Sequence, residues 1–243
     1  MNLSMGVLPL SYFSQLPQKF YDAFIEKDRY LNITNGLGNT LLITFFAVII
    51  GIILGTAIAL VKVYHSNNKK KLKILNGICS VYLTVIRGTP VVVQLMIMWY
   101  IILQPTNLDR IVAAILAFGI NSGAYVAEVI RSGIQSVDKG QIEAGRSLGL
   151  NQRDTMIKIV FPQALKNVLP AIGNEFISLL KETSVAGYIA IQDLTKGGDI
   201  IRSITYDPYT PLLIVALTYL LIVLGLTSLL NKFERRLSRS DYR

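Results

Sequence analysis

Two long uncharged runs dominate the pattern of hydrophobic and polar positions along the chain. Neither Leu37–Val61 nor Tyr209–Leu230 contains Asp, Glu, Lys or Arg. A helix needs about 20 apolar residues, each rising about 1.5 Å, to cross the hydrocarbon core of a bilayer. Both runs are long enough, so they predict two transmembrane helices. The second predicted helix covers Pro208–Leu230.

Three further spans are predicted between these two, at Ile74–Leu103, Ile111–Ile130 and Ile157–Lys181. The sequence Arg87-Gly88-Thr89-Pro90 interrupts the first of them, and a proline at that place predicts a kink or a break. The last is the least hydrophobic, because it carries lysines, a glutamate and two prolines. The whole pattern predicts an all-α membrane protein with about five transmembrane helices.

Shorter patterns add local detail. Gly51 and Gly55 lie four residues apart, and this spacing lets a second helix approach closely in a membrane. A polar loop is predicted at Glu182–Asp207, with a short helix near Ile189–Leu194.

The segment before the first span has apolar residues at a helical period with charged residues between them: Phe13, Leu16, Phe20, Phe24 and Ile25. This pattern predicts an amphipathic helix over Tyr12–Tyr30. The helix would lie on the outer membrane surface or pack against its own bundle, and the sequence leaves both interpretations open.

Composition and charge support a membrane protein and give its orientation. Hydrophobic residues make up 52% of the 243 residues and charged residues only 16%, with a net charge of +9. Fifteen Lys and Arg residues follow the first, third and fifth spans, against seven on the opposite side. Because cytoplasmic loops accumulate these residues, the N-terminus is predicted outside and the C-terminus in the cytoplasm. The positive charge therefore needs no nucleic-acid partner.

Several kinds of chemistry find no support in the sequence. One cysteine, Cys79, excludes an intrachain disulfide and a cysteine-based metal site. No GxxxxGK[ST] phosphate-binding loop occurs, so the chain is not predicted to bind ATP in that way. With one His as well, no catalytic or metal-ligating set is predicted, which argues against an intramembrane enzyme.

The polar segment before the fourth span carries the most informative motif. Glu143-Ala144-Gly145 is followed by Gly149, and then by Ile159-Val160-Phe161-Pro162. This order matches the EAA–x3–G–x9–I–x–LP loop of ATP-binding-cassette (ABC) importer permeases, with Gly145 in place of an alanine and Phe161 in place of the leucine.

Three further segments match the same group: Arg87–Gln94, Asn121–Glu128, and Gly173–Phe176 followed by Leu180–Ser184. The chain thus resembles the permease subunits of bacterial polar-amino-acid importers, the histidine, arginine, glutamine and cystine group, from about Asn35 to Lys232. It departs from the group at Thr84, where a glutamate is frequent, so an ion pair at that position is not expected.

The resemblance implies an ABC type I importer architecture in the bacterial cytoplasmic membrane. Such a permease moves polar amino acids by alternating access and is not itself an enzyme. The implied partners are a second permease subunit, identical or paralogous, two ATP-binding subunits that carry ATP and Mg, and an extracytoplasmic amino-acid-binding protein. On this interpretation residues 1–36 form an extracytoplasmic segment, residues 37–232 the permease domain, and residues 233–243 a basic cytoplasmic tail.

The resemblance also assigns the loop at about residues 132–157 to ATPase coupling. Its coupling residues are Glu143, Ala144, Gly145, Gly149, Ile159 and Pro162. From the residues alone, a short helix should follow Asp138 and Lys139, with Ile142 and Leu148 on one face, and Gly149 should end it. Docking of a soluble partner and an ordinary solvated connector both fit this pattern, and the resemblance favours docking. A channel would need no such loop.

Polar residues recur on shared helix faces inside the predicted spans, where they are costly unless they face a cavity or another helix. The candidates for a substrate path are Gln94, Asn121, Tyr125, Glu128, Asn167, Asn174, Glu175 and Ser178. The competing interpretation is a set of interhelical hydrogen bonds that hold the bundle together. Arg87 is given no ligand role.

Overall fold

The computed structural model of this chain describes Tyr12, residues 14–67 and residues 71–238. Within these ranges the chain forms helices joined by short turns, with no strand. Phe13, Lys69, Lys70 and residues 239–243 of the predicted basic tail lie outside the described residues, as do residues 1–11.

The N-terminal segment is a series of short helical pieces. Helix α1, Leu16–Phe20, passes into a π-helical turn at Tyr21–Ile25 and a 3₁₀ turn at Glu26–Asp28. The single amphipathic helix predicted here is therefore wrong, because Lys27 takes a left-handed conformation with φ of 55° that ends helical geometry. Phe24 is buried in a cluster with Ile33, Ile201 and Val215, so this part of the segment packs against its own bundle.

Helix α2, Tyr30–Asn67, corresponds to the first predicted span and extends beyond it at both ends. The second predicted span is two helices, α3 at Lys73–Gly88 and α4 at Val91–Met96, and a π-helical turn at Ile97–Leu103 continues α4. The two halves are bent by 109°. The break is where the proline predicted it, because the residue before a proline avoids the helical region and Thr89 is extended.

The remaining elements follow in order. Helix α5 is Arg110–Gln135, α6 is Lys139–Ser147 and α7 is Gln152–Thr155. A π-helical turn at Met156–Val160 leads into α8, Phe161–Glu182, and a 3₁₀ helix at Thr183–Ile189 follows it. The last two helices are α9, Leu194–Thr205, and α10, Thr210–Ser238.

The short helix predicted near Ile189–Leu194 is wrong. Ala190 has a left-handed backbone with φ of 59°, which ends the preceding 3₁₀ helix. Asp193 then begins α9, because its carboxylate accepts a hydrogen bond of 2.6 Å from the Lys196 N–H.

Three described helices are long and apolar enough to cross a membrane, namely α2, α5 and α10, and the bent pair α3 and α4 makes a fourth candidate. Helix α8, predicted as the fourth of five spans, does not qualify, since charged and amide residues such as Lys166, Asn167 and Glu175 lower its mean hydropathy. Composition thus supports three or four of the five predicted crossings within the described ranges.

The close approach predicted for Gly51 and Gly55 is confirmed, and α5 is the helix that approaches. A Cβ atom added at Gly51 would lie 2.7 Å from the Ser122 Oγ, and one at Gly55 would lie 2.8 Å from the Ala127 backbone nitrogen. These distances leave no room for a side chain. Helices α2 and α5 therefore pack backbone to backbone in the centre of the chain.

Candidate functional site

The loop around α6, residues 136–151, has well-defined ends. The Asp138 carboxylate accepts a hydrogen bond of 2.7 Å from the Gly140 N–H and caps the helix start. At the other end Gly149 has φ of +86°, and the Leu150 N–H donates to the Gly145 carbonyl at 3.1 Å. This arrangement favours glycine at position 149. The prediction that Gly149 ends a short helix is confirmed.

The two halves of the EAA-type motif touch each other. Gly145 is buried, and a Cβ atom there would lie 2.6 Å from the Ile159 Cδ1. The glycine that replaces the usual alanine is thus matched to the bulk of Ile159. Ile142 adds a second contact, since it packs on a cluster of Val137, Val160 and Ala164. Helix α6 is therefore fastened to the helical segment that leads into α8.

The opposite face of α6 is open to solvent. Glu143 and Ala144 are exposed, as is Pro162 at the start of α8. Leu148 is 84% exposed while Ile142 is packed inside, so the prediction that these two share one face is wrong. The reason is that Leu148 follows the last helical residue, where the chain turns away. Glu143 makes no ion pair with a described residue, so its carboxylate is available to a partner.

A charged cluster joins the α3–α4 break to α5. The Glu128 carboxylate accepts a hydrogen bond of 3.0 Å from the Arg131 Nε, and its Oε2 lies 4.0 Å from the Arg87 Nη1. The Arg87 guanidinium also lies 5.8 Å from the centre of the Tyr125 ring. Thr84 stands on α3 where a glutamate is frequent in the resembling permeases. Arg87 is instead paired with a carboxylate on α5, that of Glu128.

This cluster borders a cavity of about 440 Å³ between α2, α3 and α5, lined among others by Lys62, Ser80, Thr84, Glu128, Arg131 and Gln135. The Lys62 Nζ donates to the Ser80 Oγ at 2.6 Å, which links α2 to α3. The sequence singled out Glu128 but gave no sign of Lys62 or Ser80, since pairing across three helices leaves no local pattern.

Gln94 and Asn121 are brought together at the break. The Gln94 side-chain nitrogen donates to the Ile86 carbonyl at 2.7 Å and the Thr89 carbonyl at 3.0 Å, which are left open where α3 ends. Its side-chain oxygen accepts from the Asn121 Nδ2 at 2.9 Å. Asn121 is buried. The pair ties the broken helix to α5.

The other predicted path residues lie along α8. The Glu175 carboxylate accepts from the buried Ser122 Oγ at 3.1 Å, and Ser178 is half-buried one turn further on. Asn167 donates to the Ser136 Oγ at 2.9 Å and Asn174 to the Pro170 carbonyl at 3.2 Å, and both asparagines are exposed. The eight candidates therefore form three groups, at the break, at Glu128 and along α8.

The sequence did not single out a buried carboxylate that precedes α9, Asp193. It accepts hydrogen bonds from the Lys196 and Gly187 N–H groups, and the adjoining Leu194 N–H donates to the Thr40 Oγ1 of α2 at 3.1 Å. Burial raises the pKa of Asp193 to about 6, although the backbone hydrogen bonds act in the opposite direction. An aspartate before a helix signals a cap, but nothing local signals its burial.

A second network of hydrogen bonds holds the N-terminal segment to the start of α10. The Tyr12 hydroxyl donates to the Asp207 carboxylate at 2.8 Å, and the Thr210 hydroxyl donates to the same group at 2.6 Å. The Tyr12 and Tyr209 rings meet edge to face with centroids 5.2 Å apart. Burial raises the pKa of Tyr12. These contacts span nearly the whole sequence, so no pattern in either segment could predict them.

With this geometry in place, the family assignment follows from comparison with known proteins. Residues 47–239 match the family described as the inner membrane component of binding-protein-dependent transport systems. The chain belongs to this family. It is a multi-pass protein of the inner membrane, as its apolar helices indicate.

Three relatives show how close the match is. The arginine transport system permease protein ArtQ of Bacillus subtilis is 38% identical over 86% of this chain and 94% of its own length. A putative glutamine transport system permease protein of Rickettsia bellii is 35% identical over the same shares. The L-cystine transport system permease protein TcyB of Bacillus subtilis is 35% identical over 85% of this chain and 87% of its own.

Solved structures agree with this assignment. The crystal structure of an amino acid ABC transporter with histidines matches with a TM-score of 0.78 and 42% identity, over 96% of this chain and all of that one. An inward-facing MetNI methionine ABC transporter matches with a TM-score of 0.72 over 87% of this chain and 99% of that one, at 20% identity, which shows the fold alone. The all-α permease fold and the resemblance expected from the motifs are confirmed.

Proposed function

We propose that this chain is the permease subunit of an ATP-driven importer that moves polar amino acids inward by alternating access. The observation that carries the proposal is the α6 loop, whose solvent face offers Glu143 while its inner face is fastened to Ile159. The names of the relatives, which include arginine, glutamine and cystine transport permeases, support the substrate class.

The packing of the α6 loop suits it to transmit a movement of the ATPase to the membrane helices. A three-residue turn joins it to α5, and Gly145 and Ile142 pack on the segment that continues into α8. Because packed helices move as rigid bodies, a force on α6 would reach α5 and α8 together. Those two helices carry most of the candidate path residues. Closure of an attached ATPase is thereby linked to the path.

The partners follow from this role. Two ATP-binding subunits, which carry ATP and Mg, would dock on the α6 loops of a pair of permease chains, identical or paralogous. An extracytoplasmic binding protein would deliver the amino acid. This chain would bind no cofactor of its own, and ATP hydrolysis would belong to the partner subunits.

The residues of the proposed substrate path have different roles. Gln94 and Asn121 are positioning residues, because their amides are committed to the break and to each other. Tyr125, Asn167 and Asn174 expose polar groups that could contact a passing amino acid. Glu128 supplies a carboxylate on the α5 side that faces α3, and Glu175 supplies a carboxylate and Ser178 a hydroxyl on α8. In a site without water, each such hydrogen bond contributes strongly to the binding free energy of a polar ligand.

Reconstitution tests the proposal. The chain would be placed in liposomes with its ATP-binding subunits and binding protein, and uptake of labelled amino acids measured with ATP or a non-hydrolysable analogue inside. We expect uptake that requires ATP and the binding protein and that prefers polar over apolar amino acids. Uptake without ATP would indicate a channel, and a chemically altered product would indicate an enzyme, and either would overturn the proposal.

A further inference from the structure

A groove lies beside the α6 loop, where the end of α2, the start of α3 and α7 meet. Its volume is about 730 Å³. Six of its lining side chains are aliphatic, aromatic or thioether groups and two are polar: Leu60, Val61, Val63, Tyr64, Leu72, Met156, Gln152 and Arg153. The two polar groups are neighbours on α7. The groove is thus apolar along its length and basic at one end, a distribution that suits an amphiphile.

Positive charge at this groove is not balanced by acid. Arg153 is exposed and forms no ion pair with any described residue, and no carboxylate lines the groove. Lys71 and Lys73 flank the lining residue Leu72 and are exposed as well. The neighbouring cavity differs, since there Glu128 faces Arg131 and neutralises it. Unlike that cavity, the groove combines apolar side chains with a cation that has no acidic partner among the described residues.

The position of the groove identifies what can fill it. It opens at the end of α2, a helix of 38 residues that exceeds the length needed to cross a bilayer. The following loop holds the densest run of lysines in the sequence, which places this end at the cytoplasmic membrane surface. Basic pockets between helices at that level recognise anionic lipid headgroups. Leu60 and Tyr64 are open to the surroundings, so a lipid can enter from the side.

We propose that this groove binds an anionic phospholipid, with an acyl chain along Leu60, Val61 and Tyr64 and the phosphate at Arg153, within reach of Lys71 and Lys73. The lipid would brace α7 against α2 next to the α6 loop. The proposal depends on the groove and its charge and not on the transported substrate, so it stands independently of the proposed function.

Lipid retention tests the proposal on the complex purified with its partner subunits. After incubation with equal amounts of phosphatidylcholine and phosphatidylglycerol and a detergent wash, bound lipid is counted by mass spectrometry. We expect phosphatidylglycerol to be retained in preference. The triple variant Arg153→Gln, Lys71→Gln, Lys73→Gln should retain at least five-fold less. Val61→Trp, which fills the groove without changing charge, should do the same.

The matched control removes three charges elsewhere on the cytoplasmic side, by Lys232→Gln, Arg235→Gln and Arg236→Gln. These residues are exposed on the last turns of α10. Retention within two-fold of the unmodified complex is expected, since general attraction to the membrane is reduced equally in both triple variants. An equal loss in both triple variants would overturn the proposal.

Thermal unfolding separates the lipid from other occupants. Phosphatidylglycerol should raise the Tm of the unmodified complex, whereas phosphatidylcholine and inorganic phosphate should not. A Tm rise with inorganic phosphate would show a simple anion site. Loss of the ATP-binding subunits from the groove variants, with lipid retention unchanged, would show that a protein partner covers the groove. Either result contradicts a lipid site.

Discussion

Helices α5 and α10 can both cross a membrane, but they stand in opposite surroundings. Of the most apolar 18 residues in each helix, 61% are buried within the chain in α5 and only 6% in α10. Yet α10 is the more apolar helix. Its leucines at positions 217, 220, 221 and 224 are exposed, whereas α5 buries small and polar residues such as Asn121 and Ser122. In lipid, apolar character marks the surface, and small or polar residues mark the interior.

The two helices also differ in their polar contacts. Along α5 lie the contact with the break at Asn121, the link to α8 at Ser122 and the charged cluster at Glu128. The same helix leads directly into the α6 loop. Helix α10 has no comparable series of polar contacts within the described residues. Substitutions should therefore have large effects on α5 and its neighbours and small effects on α10.

The largest effect is expected from Gly55→Leu, on the α2 face that meets α5. Any side chain there would collide with the backbone of Ala127 at 2.8 Å. We expect a loss of about 3 kcal/mol or more, because rigid backbone cannot move aside as a side chain can. Thermal unfolding in detergent measures it.

The control is Gly225→Leu on α10, where a Cβ atom would meet nothing within 4 Å. Its Tm should stay within about 2 °C of the unmodified chain. Equal destabilisation by both substitutions would show that the α2–α5 contact is packed no more tightly than the surface of α10, and would contradict the contrast between α5 and α10.

A change of about 2–3 kcal/mol in the free energy of unfolding with pH is expected from Asp193. Its side chain is buried beside the N-terminal part of α2. Because burial raises its pKa to about 6, the folded chain holds a proton there that the unfolded chain has released. The contribution to stability is thus present below about pH 4 and is lost as the pH rises to about 6. The pH dependence of Tm, compared with that of Asp193→Asn, measures it, since the amide does not titrate.

Asp207, at the start of α10, should behave with the opposite sign. Burial acts to raise its pKa, but hydrogen bonds from Thr210, the Tyr209 N–H and Tyr12 outweigh burial and hold the pKa below its usual range. Its contribution is present at neutral pH and is lost only as the pH falls through that lowered pKa. If Asp193→Asn left the profile between pH 4 and 6 unchanged, the buried carboxylate would not be its cause.

A smaller loss, about 1–3 kcal/mol, is expected from Gln94→Leu. The change leaves the Ile86 and Thr89 carbonyls and the Asn121 amide without their partner. Asn174→Leu is the control, because among the described residues the exposed Asn174 side chain bonds only to the Pro170 carbonyl. It should change Tm little and should instead reduce uptake per assembled complex. Normal uptake in Asn174→Leu would remove that residue from the path.

Local features of the chain could be predicted from its sequence. Pro90 fixes the break because it lacks an N–H, Gly149 fixes the end of α6 because it takes φ of +86°, and the spacing of Gly51 and Gly55 anticipates the α2–α5 contact. Features that depend on distant partners could not. The 109° bend is tied to α5 through Asn121, Asp193 is buried next to a residue that bonds to Thr40 of α2, and Arg87 pairs across helices with Glu128.

The central claim is that the exposed face of α6 couples an ATPase to transport, and one measurement tests it most directly. Glu143→Lys and the isosteric Glu143→Gln would be reconstituted with the partner subunits, and ATP-driven uptake and bound ATP-binding subunit counted per permease. We predict that Glu143→Lys folds with unchanged Tm, because the side chain is exposed, yet loses uptake and bound ATPase together, with Glu143→Gln intermediate. Full uptake with full ATPase occupancy in Glu143→Lys would contradict the account.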